Sequence, residues 1–332
     1  MKQYLLSPFD DGGLKNQIFN SPYGIFQKLL LKNKITINTY DLGDIETANK
    51  ILFFNLESNL YQQLIKAGVT KDRLVLFAFE PRVVMPQQYD KQLWSTFGRI
   101  FTHNDELVDN KQIFKLRYPM GKAPQSVVKS YKQRKFLTLV NANKYSYVSN
   151  ELYSYRRKAI RYFEQFEDFD LYGYGWERGN KILGQQEKKS AIKNRALFRY
   201  LNDKFDKSPY KSYRGSVANK YATLANYRFA LTFENEINSP GYITEKIFDC
   251  LIAGAIPIYL GAPNITDFVP KECFIDMRSF KNFKDLRDYL LDVDEDQFND
   301  FQTAGQGFLH SSKFKTWQPE AVFKSFIKGL EA

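Results

Sequence analysis

Short, almost wholly apolar runs recur along this chain, and they limit what it can fold into more than any other feature. Residues 50–56 (KILFFNL) and 73–79 (RLVLFAF) show no alternation with polar residues. A strand of that kind is buried on both faces, which a parallel sheet covered by helices provides. Residues 34–40 (KITINTY) are β-branched and alternating, a second strand signal. Residues 1–11 open with a further short strand, 60–67 have helical spacing, and 99–102 and 113–118 close the first series. A second series starts at 135–140 (KFLTLV). It continues with helical spacing over 151–166, a strand at 169–172 and another at 228–233. The expectation is an α/β chain with two parallel sheets. Residues 119–134 are polar and carry Gly121, Pro124 and several lysines, so they read as a linker between domains 1–125 and 135–332. The final helical stretch, 321–330, is a candidate to pack back on the first domain. Residues 177–215 are rich in charge and poor in pattern, and are expected to form a long loop with one helix.

Composition narrows the function classes. Hydrophobic residues at 43% and aromatics at 16% of 332 residues are enough for two cores. No apolar run reaches the ~18 residues that span a bilayer, and the apolar start is short for a signal peptide. With two cysteines and two distant histidines, neither a disulfide framework nor a histidine-based metal site is expected. The net charge is +11, but the basic residues are scattered among acids with no run of five. That argues against a nucleic-acid partner and leaves a solvated basic face, or contact with an anionic membrane surface. The chain is therefore expected to be cytoplasmic, with a peripheral membrane-surface contact as the alternative to a solvated basic face.

The chemistry concentrates in residues 233–280. An apolar run ends at Phe233, a polar loop follows, and Pro240-Gly241 breaks regular structure. Tyr242-Ile243-Thr244-Glu245-Lys246 then leads into a helix with apolar residues at Ile247, Phe248, Leu251, Ile252 and Ala255, followed by a strand ending at Gly261. A strand–loop–helix unit presents unsatisfied N–H groups and a positive dipole end to a phosphorylated ligand. Lys246 adds a charge for a diphosphate, Glu245 an acceptor for a ribose diol, and Tyr242 a surface for a sugar or ring. Ordinary helix-start composition explains the same residues, and spacing alone does not separate the two readings. Arg157 lies on a basic helix behind a strand end, where its fork suits a phosphate or simply solvent. Glu80 directly follows a buried strand, the place for a general base or a plain loop acid. Asp292-Val293-Asp294 has the Asp-x-Asp form of a cation site but lies at an acidic helix end with no buried strand before it.

In combination these segments are specific. Phe233-Glu234-Asn235, Tyr242-Ile243-Thr244-Glu245-Lys246, Ala253 to Gly261, Asp267-Phe268-Val269-Pro270 and Phe274-Ile275 resemble the α-1,3/4-fucosyltransferases of glycosyltransferase family 10. The match is strongest over residues 220–280 and weaker over 135–174 and the strand end carrying Glu80. The departures point to the soluble bacterial type, since the chain lacks the anchor and luminal cysteines of animal Golgi members. It also lacks the heptad repeat and basic tail of some bacterial ones.

The resemblance implies a GT-B fold, two Rossmann-like domains facing across a cleft. The first would bind the acceptor and carry the base, and the second would bind GDP-fucose. It implies an inverting transfer of L-fucose to a GlcNAc or glucose hydroxyl of a surface glycan or lipopolysaccharide oligosaccharide. By alignment Glu80 corresponds to the base. Asn235, Tyr242, Glu245 and Lys246 correspond to donor-site residues, and Arg157 to the diphosphate arginine, with Arg156 the alternative. No cofactor is required on this reading, and a divalent cation would at most stimulate. The partners are GDP-fucose, an oligosaccharide acceptor and the membrane surface. Two other readings stand beside it: the same fold with a different GDP-deoxyhexose donor, or, from another class, a protein that binds glycan or nucleotide without catalysis.

Overall fold

The computed structural model describes residues 1–9, 15–121, 129–177 and 209–332. Most of the expected long loop at 177–215, and part of the linker, lie outside these residues.

Two parallel sheets are present, as the apolar runs require. The first is ordered β2-β1-β3-β4-β5-β6. Its strands are β1 (Lys2–Ser7), β2 (Ile35–Thr39), β3 (Lys50–Phe54), β4 (Leu74–Ala78), β5 (Arg99–Thr102) and β6 (Ile113–Lys115). The second is ordered β11-β10-β9-β7-β8. It comprises β7 (Lys135–Val140), β8 (Phe169–Tyr172), β9 (Tyr227–Phe233), β10 (Ile256–Leu260) and β11 (Ile275–Asp276). All the strand pairs are parallel. In each sheet the second strand lies outside the first and the third lies on its other side. Strand order therefore reverses between β1 and β3 and between β7 and β9, and ligands of open α/β sheets bind at such switch points.

The central strands are apolar because both faces are covered. Phe54, Phe77 and Phe101 pack with Phe26 and with Phe323 and Phe326 of the last helix, Pro319–Glu331. The Phe77 and Phe101 rings stack at 4.2 Å. The end of the chain thus packs on the first sheet. In the second sheet Leu139, Leu171, Phe229, Leu231 and Ile258 form one core. On the helix Glu245–Ala253, Ile247, Phe248 and Leu251 pack with Trp317 in another. Cys250 and Cys273 are buried within this packing.

Two of the longer helices among the described residues carry no signal in the periodicity reading. They are Gly24–Lys32 and the 15-residue Glu295–Leu309. The second begins with a capping box, in which Asp294 accepts from Gln297 N–H and the Gln297 side chain accepts from Asp294 N–H. The Asp-x-Asp pattern is accounted for there: Asp292 ends one helix and Asp294 caps the next.

A candidate active site in the cleft

At the second sheet's switch point, β7 runs out into Asn141 and β9 into Glu234-Asn235. Both asparagines line a solvent-open cavity of about 270 Å³. Its other walls include Glu80 and Tyr118 from the first half of the chain and Arg156, Tyr242, Glu245 and Lys246 from the second.

The second-half wall is organised by Glu234, which is fully buried. Its carboxylate accepts from Thr244 N–H at 2.8 Å and from the Thr244 hydroxyl at 2.7 Å. It also accepts from Lys246 Nζ at 3.1 Å. Thr244 is the N-cap residue, but its hydroxyl is committed to Glu234, so the helix Glu245–Ala253 has no side-chain cap. Its dipole end favours a negative charge at this point of the cavity. Lys246 also donates to the Thr244 hydroxyl at 2.8 Å, which aims the ammonium at the helix start.

Glu245 is half-exposed, 3.9 Å from both Lys246 and Lys220. Burial pushes its carboxyl up, but the two lysines and the helix start outweigh that and leave it below its ordinary range. It is an ionised acceptor, suited to hydroxyl donors. One turn on, Asp249 takes the shorter 2.7 Å contact with Lys220.

Neighbouring arginines on the helix Tyr153–Phe163 point about 100° apart, so one of them faces inward. That one is Arg156, which is buried and lines the cavity. It donates to the Phe233 carbonyl at 2.6 Å and to Asn235 Oδ1 at 3.0 Å, while its Nε has no hydrogen-bond partner. Arg157 donates instead to the Lys144 carbonyl at 2.8 Å and lies over the Tyr145 ring at 3.7 Å. Of the two arginines the sequence offers, Arg156 is the one that lines the cavity. The guanidinium at the cavity belongs to the residue whose helical phase it shares with Ile160 and Phe163.

Glu80 stands just beyond β4 on the opposite wall. Its N–H donates to Asn55 Oδ1 at 2.7 Å, and its carbonyl accepts from Gln88 at 2.6 Å and from the Tyr89 hydroxyl at 3.0 Å. These bonds fix the backbone and leave the carboxyl to the cavity. Burial raises its pKa, against the pull of Lys144 and Lys246, and Glu245 adds to the rise. The Glu80 carboxyl therefore feels the helix start across the cleft.

The sequence reading passed over several residues. Tyr118 lines the cavity and donates to the Phe79 carbonyl at 2.5 Å. His103 bonds the same carbonyl through Nε2 at 2.9 Å. Its ring stacks on Tyr118 at 4.8 Å and meets Tyr242 edge-on at 5.3 Å. Neither carries a local motif. Among the described residues, no group of three or more His, Cys, Asp or Glu side chains is arranged to hold a metal ion.

Residues 189–303 match the family model of glycosyltransferase family 10 (fucosyltransferase), C-terminal. Similar sequences include the α-(1,3)-fucosyltransferase FucT of Helicobacter pylori, 45% identical over 76 residues, which are 23% of this chain and 16% of that protein. The α-(1,4)-fucosyltransferase of Arabidopsis thaliana is 37% identical over 76 residues, 23% of this chain and 19% of its own. The human 4-galactosyl-N-acetylglucosaminide 3-α-L-fucosyltransferase FUT6 is 43% identical over 77 residues, 22% and 21% of the two chains. The aligned stretches thus span at most about a fifth of these relatives. They bear out the resemblance to family 10 read from the motifs. Among solved structures, an α1,3-fucosyltransferase superposes with a TM-score of 0.58 at 14% identity, over 100% of this chain and 90% of the other. An α1,3-fucosyltransferase crystallised with GDP-fucose gives 0.53 at 16%, with the same coverage. Anabaena Alr3699/HepE, crystallised with UDP and glucose, gives 0.56 at 9%, over 100% and 99%. At these identities the likeness speaks for the fold, which is the GT-B arrangement of glycosyltransferases.

Proposed function

We propose that this chain is an inverting fucosyltransferase. It moves L-fucose from GDP-fucose to a GlcNAc or glucose hydroxyl, in α-1,3 or α-1,4 linkage, on a surface glycan or lipopolysaccharide oligosaccharide. The observation that carries this reading is the shared cavity. Glu80 from the first half faces Glu245, Lys246 and Arg156 from the second. Those second-half residues sit within the region that matches the family, except Arg156.

In this reading residues 1–125 present the acceptor and the base, and residues 135–332 bind the donor. Glu245 takes the ribose hydroxyls. Lys246, Arg156 and the open helix start take the diphosphate, and Asn235 and Tyr242 border the sugar. As the acceptor oxygen attacks the anomeric carbon from the face opposite GDP, its proton passes to the Glu80 carboxylate. The bond from that carbon to the β-phosphate oxygen breaks, and the electron pair leaves with GDP. Developing charge on the leaving group falls against the Lys246 ammonium and the Arg156 fork, so the mechanism calls for no metal ion. A water-poor cleft would limit donor hydrolysis.

Among the described residues no helix is long and apolar enough to cross a membrane. The proposed site of action is the cytoplasm. The +11 charge supports a peripheral contact with the cytoplasmic face of the inner membrane.

The test is incubation with GDP-fucose and a panel of N-acetyllactosamine-type and lacto-N-biose-type acceptors, followed by product linkage analysis and GDP quantitation. A fucoside with stoichiometric GDP is expected. Absence of fucoside, of released GDP and of calorimetric GDP-fucose binding would overturn the proposal. Competition by other GDP-deoxyhexoses checks the donor sugar.

A further inference from the structure

We infer that Lys115 is a positioning residue, the centre of a polar latch that sets the Tyr242 loop of the second half against the strand end carrying Glu80 in the first. Lys115 is the last residue of β6. Its three ammonium donors have three acceptors: Asp105 Oδ1 at 2.6 Å, the His103 carbonyl at 2.6 Å and the Gly241 carbonyl at 3.1 Å. Asp105 engages that loop once directly and once through Asn264, which lies beyond β10. Its N–H donates to the Pro240 carbonyl at 3.0 Å, and its Oδ2 accepts from Asn264 Nδ2 at 3.1 Å. Asn264 Oδ1 in turn accepts from Gly241 N–H at 2.8 Å. Both backbone polar groups of Gly241 are thereby held, one through each amino acid that meets Asp105.

Glycine is required at that point. Gly241 has φ +76°, and a β-carbon there would lie 2.2 Å from Lys115 Nζ and 2.3 Å from Asp105 Oδ2. The next residue, Tyr242, meets His103 edge-on, and His103 and Tyr118 both bond the carbonyl of Phe79, the residue before Glu80. Burial and the Lys115 charge push the His103 imidazole down to about 3, so the ring is neutral. In that state Nε2–H can donate to the Phe79 carbonyl. One connected set of contacts therefore runs from the donor-side tyrosine to the base-side glutamate. Lys115 and Asp105 keep 20% and 32% of their side-chain surface exposed. The pair is part-buried, and its carbonyl and amide partners fix where both side chains sit. What it contributes is geometry, since reacting groups lose about 10²-fold in rate for a displacement near 1 Å.

The roles assigned to Glu80 and Tyr242 rest on the proposed function, but the latch has a readout of its own. Hydrogen–deuterium exchange is measured over residues 79–84 and 239–243 in wild type, Lys115→Met, Asp105→Asn and the exchange pair Asp105→Asn with Asn264→Asp. Asp105→Asn leaves one amide oxygen to serve both Lys115 and Asn264 Nδ2 and removes the charge. In the pair the new amide accepts from Lys115 and donates to the carboxylate at 264, which still accepts from Gly241 N–H, and the net charge is restored. Exchange in both segments is expected to rise at least tenfold in each single variant and to return towards wild type in the pair. Circular dichroism and a calorimetric GDP titration, with Kd within threefold of wild type, show that fold and nucleotide site are intact. Under the proposed function, kcat falls at least tenfold and the ratio of donor hydrolysis to transfer rises, again reversed in the pair. Unchanged exchange in both single variants, or no recovery in the pair, would overturn the latch. A wild-type protein that neither binds GDP nor transfers fucose would overturn the function while the exchange data still decide the latch.

Discussion

Lys246 Nζ lies 3.1 Å from the carboxylate of Glu234, a side chain without solvent exposure. The same carboxylate accepts both polar hydrogens of Thr244. A buried carboxylate with these partners aims the lysine and leaves the first turn uncapped. Removing it strands a part-buried ammonium and an amide. Glu234→Ala is expected to cost about 3 kcal/mol or more in urea unfolding. Glu234→Gln keeps an acceptor for Thr244 and should fold, with GDP affinity lowered about tenfold in calorimetry as Lys246 loses its anchor. A Glu234→Ala protein within 1 kcal/mol of wild type would remove the organising role.

Glu80 must be ionised to take a proton, and burial raises its pKa. Activity is therefore present above that raised value and lost as pH falls through it. The acidic limb of kcat/KM, which reports the free enzyme, should lie above the ordinary glutamate value of ~4.3. Glu80→Gln should bind GDP-fucose, lose at least ~10² in turnover and lose that limb. The stability effect has the opposite sense. A raised folded pKa means the ionised form burdens the fold at neutral pH, so Glu80→Gln should melt no lower than wild type at pH 8. Any advantage should vanish below the unfolded glutamate pKa. Wild-type turnover in this variant would take Glu80 out of the base role.

The parts legible in the sequence are those whose physics is local. Strands such as Leu74–Ala78 are apolar on both faces because both are covered, and no knowledge of distant partners is needed to see them. Glu245 and Lys246 are readable for the same reason, since a helix start is a local feature. Choosing between Arg156 and Arg157 required helical phase. A signal was present: Arg156 stands four and seven residues before Ile160 and Phe163, the buried face, whereas Arg157 shares its side with Arg161 and Glu164. His103, Asp105 and Lys115 had no such signal. Their meaning lies in contacts with residues more than a hundred positions away, such as Lys115 with Gly241. Helix Glu295–Leu309 was hidden because its apolar stripe is sparse and its glycines weaken the pattern, and only its Asp294–Gln297 box marks the start.

The two arginines give a direct comparison. Arg156 borders the cavity with its Nε unpartnered, and Arg157 turns to Lys144 and Tyr145. Arg156→Lys keeps a charge but loses the planar fork. It is expected to weaken GDP binding at least tenfold, while Arg157→Lys stays within twofold by calorimetry. The reverse ranking would return the diphosphate to Arg157.

Glu236 offers a measurement independent of substrate. It is buried just past the end of β9, and its carboxylate faces the N–H groups of Arg82 and Val83, in the loop after Glu80. Burial pushes its pKa up from 4.5 to about 7, against the pull of those N–H groups and the Arg82 charge. A rise of roughly 2.5 pH units at about 1.4 kcal/mol each amounts to about 3 kcal/mol. Since the folded state holds the proton more tightly, stability is fullest below the unfolded value. It declines as pH rises and is fully reduced above about 7. Glu236→Gln removes the titration and keeps one acceptor for the loop. Urea unfolding should find the variant equal to or slightly below wild type at pH 4.5. At pH 8 it should be more stable, by up to about 3 kcal/mol. A difference that does not change between those two pH values would show that Glu236 keeps an ordinary pKa in the folded protein, and that its two backbone partners balance its burial.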